Sequence, residues 1–371
     1  MYRILISGYY GFNNIGDESI LTAVIGSLRE KLPDIDITVL SQNPESTSSK
    51  YGVKAVNRKS VPAIIKAVKN CDLLISGGGS LLQDVTSRKS ILYYLFIMKM
   101  AKIMRKKYFI YSQGIGPIVS EFNERLTAKV LKSASGIVVR DVQSKNLLVR
   151  IGLPSEKVVV TADPVLRIKP VDKERGKKIL EEEGLLCNSG RPLIGLAIKE
   201  RNLDSGFLEE ICISAERLIK ERNCNILLIP FHYNEDMATI EYVEEYLKEK
   251  GLSENVCAIK HKYLTDEMMS IIGNVDLLVG VRLHALIHAA IMGVPMIGIS
   301  YDPKINSFLR SVGMKAMCSV YDFQNEFFIE EFDKTWDKRD AQKELVSSHV
   351  NQLIDKLNTN EEMIRAIMEK R

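Results

Sequence analysis

The chain has 371 residues, 46% of them hydrophobic and 26% charged, with a formal net charge of only +4. That is globular composition, and the length suits two domains of about 150 to 200 residues each. A balance this near neutral gives no support to a nucleic-acid binder, and no apolar run reaches the ~18 residues that span a bilayer.

The N-terminal "MYRILISGYYG" enters a strand at once, without the pattern of a signal peptide. Cys71, Cys187, Cys212, Cys224, Cys257 and Cys318 are scattered with no C-x-x-C pair. They read as reduced thiols of a cytoplasmic protein, not as a zinc site or a disulfide frame.

In chain order, strands are predicted at "RILIS" (3–7), "DITVL" (36–40), "DLLIS" (72–76), "YFIYS" (108–112), "GIVV" (136–139) and "VVVT" (158–161). "LIGLAI" (193–198), "NILLIP" (225–230), "DLLVG" (276–280) and "PMIGIS" (295–300) follow, with amphipathic helices such as 205–222 and 235–250 between them. Continuous apolar strands alternating with helices imply parallel sheets covered on both faces. The mixed stretch 162–192 reads as a linker. It separates a first domain, 1–165, from a second, 190–335, with a helix over 340–371 packing back on the first. "NCDLLISGGGSLLQD" (70–84) echoes "NVDLLVGVRLHALIH" (274–288), which suggests a duplicated architecture. The cleft between two such halves is the default place for a ligand.

Glycine-rich loops recur at strand ends. "SGYYGFNNIGDESI" (7–20) lacks the G-x-G-x-x-G spacing of a dinucleotide site. Asp17 and Glu18 there either cap a helix or, for Asp17, serve catalysis or the acceptor. Tyr10 and Phe12 either stack on a sugar ring or fill a domain interface. In "SGGGSLLQD" (76–84), Gly77, Gly78 and Gly79 stand between a strand and an expected helix start, an arrangement that binds anions or sugar hydroxyls through backbone N–H groups. The Gly-Lys-Ser/Thr ending of an ATP-binding loop is missing.

Charged side chains recur there too. Arg140, directly after "GIVV", offers a planar fork to a carboxylate or phosphate, or else a salt bridge to Asp141. Lys199 and Arg201 follow "LIGLAI", and His232 follows "NILLIP". "GVRLHALIHAAIMGVPMIGISYDPK" (280–304) is the most informative stretch. His284 and His288 share a helix face, but the third ligand that zinc requires is not evident, so no metal is expected. His288, among alanines, reads as a packing residue. Arg282, His284 and Lys304 together form a cradle for a small anion with two acidic groups. The helix 90–107 is apolar on a broad face and basic at its end, which suits either a core helix or one resting on anionic lipid.

"SGYYGFNNIGDE", "LLISGGGSLLQD", "YSQGIGP", "VVRD", "TADP", "GVRLHALI" and "GVPMIGISYDPK" together resemble the polysaccharide pyruvyl transferase family, close to its bacterial CsaB type. The resemblance implies an α/β, GT-B-like fold: two Rossmann-like, doubly wound parallel-sheet domains facing a cleft, the first on the acceptor side and the second on the donor side. It implies transfer of pyruvate from phosphoenolpyruvate to the ManNAc of a lipid-linked ManNAc-GlcNAc precursor, as a 4,6-ketal. Such products enter secondary cell wall polymers that anchor S-layer proteins. Arg140, His284 and Lys304 would then assist transfer. Arg282, Arg201, Tyr10, Phe12, Asp17 and Gly77 to Gly79 would bind substrates. No cofactor is implied. The enzyme would be cytoplasmic, with weak contact at the inner membrane face. A GT-B glycosyltransferase using a nucleotide sugar, or a non-catalytic glycan scaffold, are the competing readings.

Overall fold

A computed structural model describes residues 1–85, 87–184, 190–199 and 206–369. The chain divides into two compact units, Met1–Arg167 with Gln352–Arg371, and Ile168–Asn351.

The first unit opens with β1 (Tyr2–Tyr10), α1 (Ile15–Lys31), β2 (Ile35–Ser41), α2 (Pro44–Tyr51), β3 (Lys54–Asn57), α3 (Val61–Asn70) and β4 (Leu73–Ser76). It continues with α4 (Arg88–Ile103), β5 (Lys107–Gln113), α5 (Glu121–Leu131), β6 (Gly136–Val139), α6 (Val142–Arg150) and β7 (Val158–Val160). All seven strands pair in parallel, in the order β3-β2-β1-β4-β5-β6-β7. β4 and β6 are buried along their whole length, as unbroken apolar runs require when both sheet faces are covered.

The second unit holds α7 (Glu174–Glu182), β8 (Leu193–Ala197), α8 (Phe207–Arg222), β9 (Asn225–Leu228), α9 (Tyr233–Glu249), β10 (Val256–Ala258) and α10 (Thr265–Ile272). β11 (Leu277–Gly280), α11 (Leu283–Met292), β12 (Met296–Gly298), α12 (Pro303–Ser311) and α13 (Asn325–Asp337) follow. Its parallel sheet runs β10-β9-β8-β11-β12, the same winding outward from a central pair as in the first unit. The ten strands predicted from apolar runs are all present. β3 and β10 are additional; both are short outermost strands, β3 largely exposed and β10 only three residues long.

The internal echo has a structural cause. Asp72, before β4, accepts a hydrogen bond from Arg3 N (2.9 Å) and returns one from its own N to Arg3 O (2.8 Å). Asp276, before β11, does the same with Leu193 N (2.8 Å) and Leu193 O (2.8 Å). In each sheet this aspartate locks the fourth strand to the start of the first.

Beyond those strands the likeness ends. α11 opens just past β11, whereas among the described residues after Gly77–Gly79 no helix begins before α4 at Arg88. The expected helix start, with its anion-binding N–H groups, is therefore absent at that loop. Asp84 organises the stretch instead, accepting from Val119 N (2.7 Å), Ser120 N (3.0 Å) and Asn123 Nδ2 (2.8 Å).

α14 (Arg339–Glu369) serves both units. Within the second, Gln342 exchanges two hydrogen bonds with the backbone of Met296 (2.7 and 3.1 Å). Within the first, Asn360 donates to Ser112 (2.8 Å), Arg167 donates to Glu361 (2.8 Å), and the Tyr111 hydroxyl also donates to Glu361. α4 is shorter than the predicted 90–107. It ends at Ile103, so Lys106 and Lys107 lie outside it, and Lys107 Nζ donates to Ile367 O (2.7 Å).

Candidate functional site

In doubly wound sheets, ligands bind beyond the carboxyl ends of the strands, where the strand order reverses. That rim lies after β1 and β4 in the first unit and after β8 and β11 in the second.

In the first unit the rim is tightly closed. Asn14 caps α1 by accepting from Gly16 N (3.0 Å), so neither Asp17 nor Glu18 is the cap. Glu18 is a buried strut, accepting from Gly11 N (2.9 Å), Tyr51 Oη (2.6 Å) and Lys50 Nζ (3.3 Å). Asp17 is half-buried beside Gly79, where an added Cβ would lie 3.0 Å from its Oδ1.

Tyr10 cannot stack on a sugar as expected, because it is 1% exposed. A Cβ on Gly8 or Gly77 would come within 2.3 Å of its ring or hydroxyl, so those glycines make room for the tyrosine. Gly78 likewise fits against Ile20 and Pro164, where a Cβ would sit 2.9 and 3.2 Å away. Burial pushes the Tyr10 phenol well above its ordinary range, with Asp17 adding to the effect. The accessible aromatic pair is instead Tyr9 and Phe12, stacked with centroids 4.0 Å apart. Arg58 lies 5.7 and 5.0 Å from those rings and donates to Gly8 O (3.0 Å). Tyr9 and Arg58 are absent from the sequence-derived site; only their neighbourhood to "YGF" hints at Tyr9.

Arg140 stands on the rim directly after β6, but its fork is engaged within the protein. It donates to Asp163 (3.0 Å) and Ser80 (2.9 Å), and Asp141 lies 3.5 Å from its Nε. Both side chains of the Arg140–Asp163 pair are 5% exposed. Gly114 lies flat against the guanidinium, where a Cβ would be 2.6 Å away. Arg140 thus ties together the loops after β4, β5 and β7.

The second unit has a charged rim. Lys199 pairs with Glu235, and Glu235 lies 3.4 Å from His232 Nδ1 and 3.5 Å from Arg282. Arg282, at the N-cap of α11, forks onto Asp236, its Nε donating at 3.1 Å. Asp236, fully buried, also accepts from Phe231 N (3.0 Å) and His232 N (2.9 Å). Burial lowers the His232 pKa from its ordinary value, so this imidazole is neutral near pH 7. Although burial opposes it, Lys199 holds the Glu235 carboxyl below the usual range. Asp236 escaped the sequence reading, since nothing in "HYNED" shows which carboxylate meets Arg282.

His284 is half-buried in the first turn of α11. His288, one turn further, is completely buried beside Phe231, with ring centroids 5.4 Å apart. Burial, and secondarily His284, depress its pKa to about 3. Lys304 is the second residue of α12, its Nζ 3.3 Å from Asp302 and 5.7 Å from the Tyr301 ring centroid. A cavity of about 320 Å³ adjoins it, lined by Ser300, Tyr301, Asp302, Asn306 and Ser319 among others. Arg201 lies outside the described residues. Among the described residues, no group of three His, Cys, Asp or Glu is placed to hold a metal ion.

Over residues 14–303 the chain matches the family described as polysaccharide pyruvyl transferase. The amylovoran biosynthesis protein AmsJ of Erwinia amylovora is 21% identical over 378 residues, covering 85% of this chain and 88% of that protein. Among solved structures, a glycosyltransferase of Rickettsia africae is similar with a TM-score of 0.67 and 14% identity, over 100% of this chain and 99% of that one. Anabaena HepE, in complex with UDP and glucose, gives 0.64 at 10% identity, with 100% of both chains covered. The UDP-GlcNAc 2-epimerase of Neisseria meningitidis gives 0.60 at 14%, over 97% of this chain and 100% of that one. At these identities the structural likenesses establish the fold alone. It is GT-B-like, built from two Rossmann-like units.

Proposed function

Because the chain belongs to the polysaccharide pyruvyl transferase family, and is a pyruvyltransferase acting on polysaccharide, we propose phosphoenolpyruvate as its donor. The acceptor in this reading is the ManNAc of a lipid-linked ManNAc-GlcNAc precursor of a secondary cell wall polymer that anchors S-layer proteins. The product is a 4,6-ketal, made at the cytoplasmic face of the membrane. The observation that carries the donor reading is His284 and Lys304 at neighbouring strand ends of the second sheet, α11 and α12 following adjacent β11 and β12.

Ketal formation starts with a proton delivered to the donor's methylene carbon, leaving an oxocarbenium-like centre at the adjacent carbon. One sugar hydroxyl attacks that centre and loses its proton. Phosphate departs, and the second hydroxyl closes the ring, its proton passing to the departing phosphate. No carbon changes its oxidation level through an outside electron carrier, so the scheme needs no redox cofactor. An imidazole can both deliver and accept a proton, and we assign the first two proton transfers to His284. Lys304 offsets charge on the departing phosphate. Arg282 contributes the positive end of its carboxylate-anchored network, and Arg201 is an additional donor-side cation. Arg140 acts by fixing the rim loops of the first unit, consistent with its engaged fork. On the acceptor side we assign Phe12 with Tyr9, Asp17 and the backbone of Gly77, Gly78 and Gly79; Tyr10 supports them from beneath.

The test is turnover of purified protein with phosphoenolpyruvate and a panel of lipid-linked acceptors, following released phosphate and acceptor mass. Phosphate release matched by one added pyruvyl group is the expected result. Release of nucleotide from a sugar nucleotide, with phosphoenolpyruvate untouched, overturns the donor.

A further inference from the structure

α4 is two-faced. Ile91, Tyr94, Leu95, Ile97, Met98 and Ala101 enter the core of the first unit. Leu92, Phe96 and Ile103 point outward, 37%, 49% and 71% exposed. With Lys99, which is also exposed, they recur at spacings of four, three and four residues and so form one line along the helix. Exposed Lys89 continues that line toward the N-terminus. At its flank α5 packs beside α4, with Phe122 in its first turn and Val119 just before it both exposed.

From this surface we propose that the outer face of α4 docks on a bilayer carrying anionic headgroups. The charge pattern selects that occupant. Residues 88–107 contain seven lysines and arginines and no aspartate or glutamate. The carboxylates near Phe122 are already engaged, Glu121 by Arg125 (2.8 Å) and Glu124 by Arg150 (2.5 Å). Lys99 lies within the apolar line itself. Against a protein partner its ammonium would be buried, whereas at a bilayer the apolar side chains enter the acyl boundary and lysine reaches up to phosphate. Lys106 and Lys107 take no part, the first lying beyond the helix and the second being tied to Ile367. The proposal gives a surface to the lipid-linked acceptor and rests on that reading only for its purpose; the face itself is independent of it.

The experiment is co-sedimentation of the full chain with vesicles of phosphatidylcholine alone or with 30% phosphatidylglycerol, at low and high salt. Expected is binding to the anionic vesicles at low salt, loss of most of it at high salt, and little binding to phosphatidylcholine. F96E with I103E, and separately K89E with K99E, should each lower the partition coefficient at least about tenfold. Their circular dichroism and turnover on a water-soluble acceptor should stay unchanged. Wild type that ignores anionic vesicles overturns the proposal, as does equal binding by the F96E/I103E variant. A concentration-dependent dimer abolished by F96E/I103E, without vesicle binding, overturns it in favour of a second copy. A chain that binds vesicles through this face but never consumes phosphoenolpyruvate leaves it standing and sinks only the donor assignment.

Discussion

At the carboxyl ends of the first sheet, the protein's own side chains occupy the rim. Tyr10 fills the space that Gly8 and Gly77 leave, Glu18 clamps the Gly11 turn, and Arg140 joins three loops through Asp163, Ser80 and Gly114. At the same ends of the second sheet, Lys199, His232, Glu235, Arg282 and Asp236 form a charged network, with His284 and Lys304 beside it. One strand order thus supports two kinds of rim. The first is rigid and sterically defined, suited to presenting a shape. The second is charged and partly exposed, suited to moving protons and holding anions.

The sharpest way to break this contrast is His284→Ala. If the second rim carries the chemistry, phosphate release should fall by about 10² to 10⁴, with the urea midpoint of unfolding little changed. Undiminished turnover by the folded variant would remove the distinction.

Arg140→Ala should act oppositely, through stability. It removes the cationic half of the buried pair with Asp163, which costs about 3–5 kcal/mol in unfolding free energy. The double variant Arg140→Met with Asp163→Leu should recover much of that loss. A fully stable Arg140→Ala with lost turnover would instead put Arg140 among the groups that touch substrate.

Gly77→Ala sharpens the steric side. Its Cβ would meet the Tyr10 hydroxyl at 2.3 Å, an overpacking expected to cost about 1–3 kcal/mol and to be partly relieved by Tyr10→Phe. Tyr10→Phe alone should leave the acceptor KM unchanged, because the ring is buried.

The last effect is on pH dependence. The folded pKa of His288, about 3, lies below the ordinary 6.5, so the fold favours the neutral ring. Its contribution is complete above about pH 6.5 and is lost as pH falls toward 3, at about 1.4 kcal/mol per unit. His288→Leu should flatten the acid limb of a stability-against-pH curve by up to that slope. An unaltered limb would mean that His288 is not held neutral.

Much of this was legible in the residues, and the omissions have physical causes. Buried central strands announce themselves as unbroken apolar runs; at the sheet edges β3 is largely exposed and β10 is only three residues long. Arg140 was visible as a rim residue, but its partner Asp163 comes from a strand end 23 residues later, and spacing along the chain does not reveal such a pairing. The run "RILIS" suggests a strand ending at Ser7, which leaves Tyr10 open to either stacking on a sugar or burial. β1 runs to Tyr10, so Tyr9 and Tyr10 point to opposite sides. Gly77–Gly79 looked like a helix-start loop because the residues after them are apolar enough for a helix, yet that stretch is organised by Asp84.

α14 also constrains the order in which the molecule can be made. Tyr111, Ser112 and Arg167 of the first unit each hydrogen-bond to Asn360 or Glu361 of α14. The N-terminal sheet therefore leaves the ribosome before these bonds to α14 can form, while Ile168–Asn351 is still being translated. At about 5–20 residues per second that interval is roughly 10 to 40 s, during which the first unit is exposed to chaperones and proteases. The second unit, in contrast, is contiguous in the chain and needs no later segment to complete it.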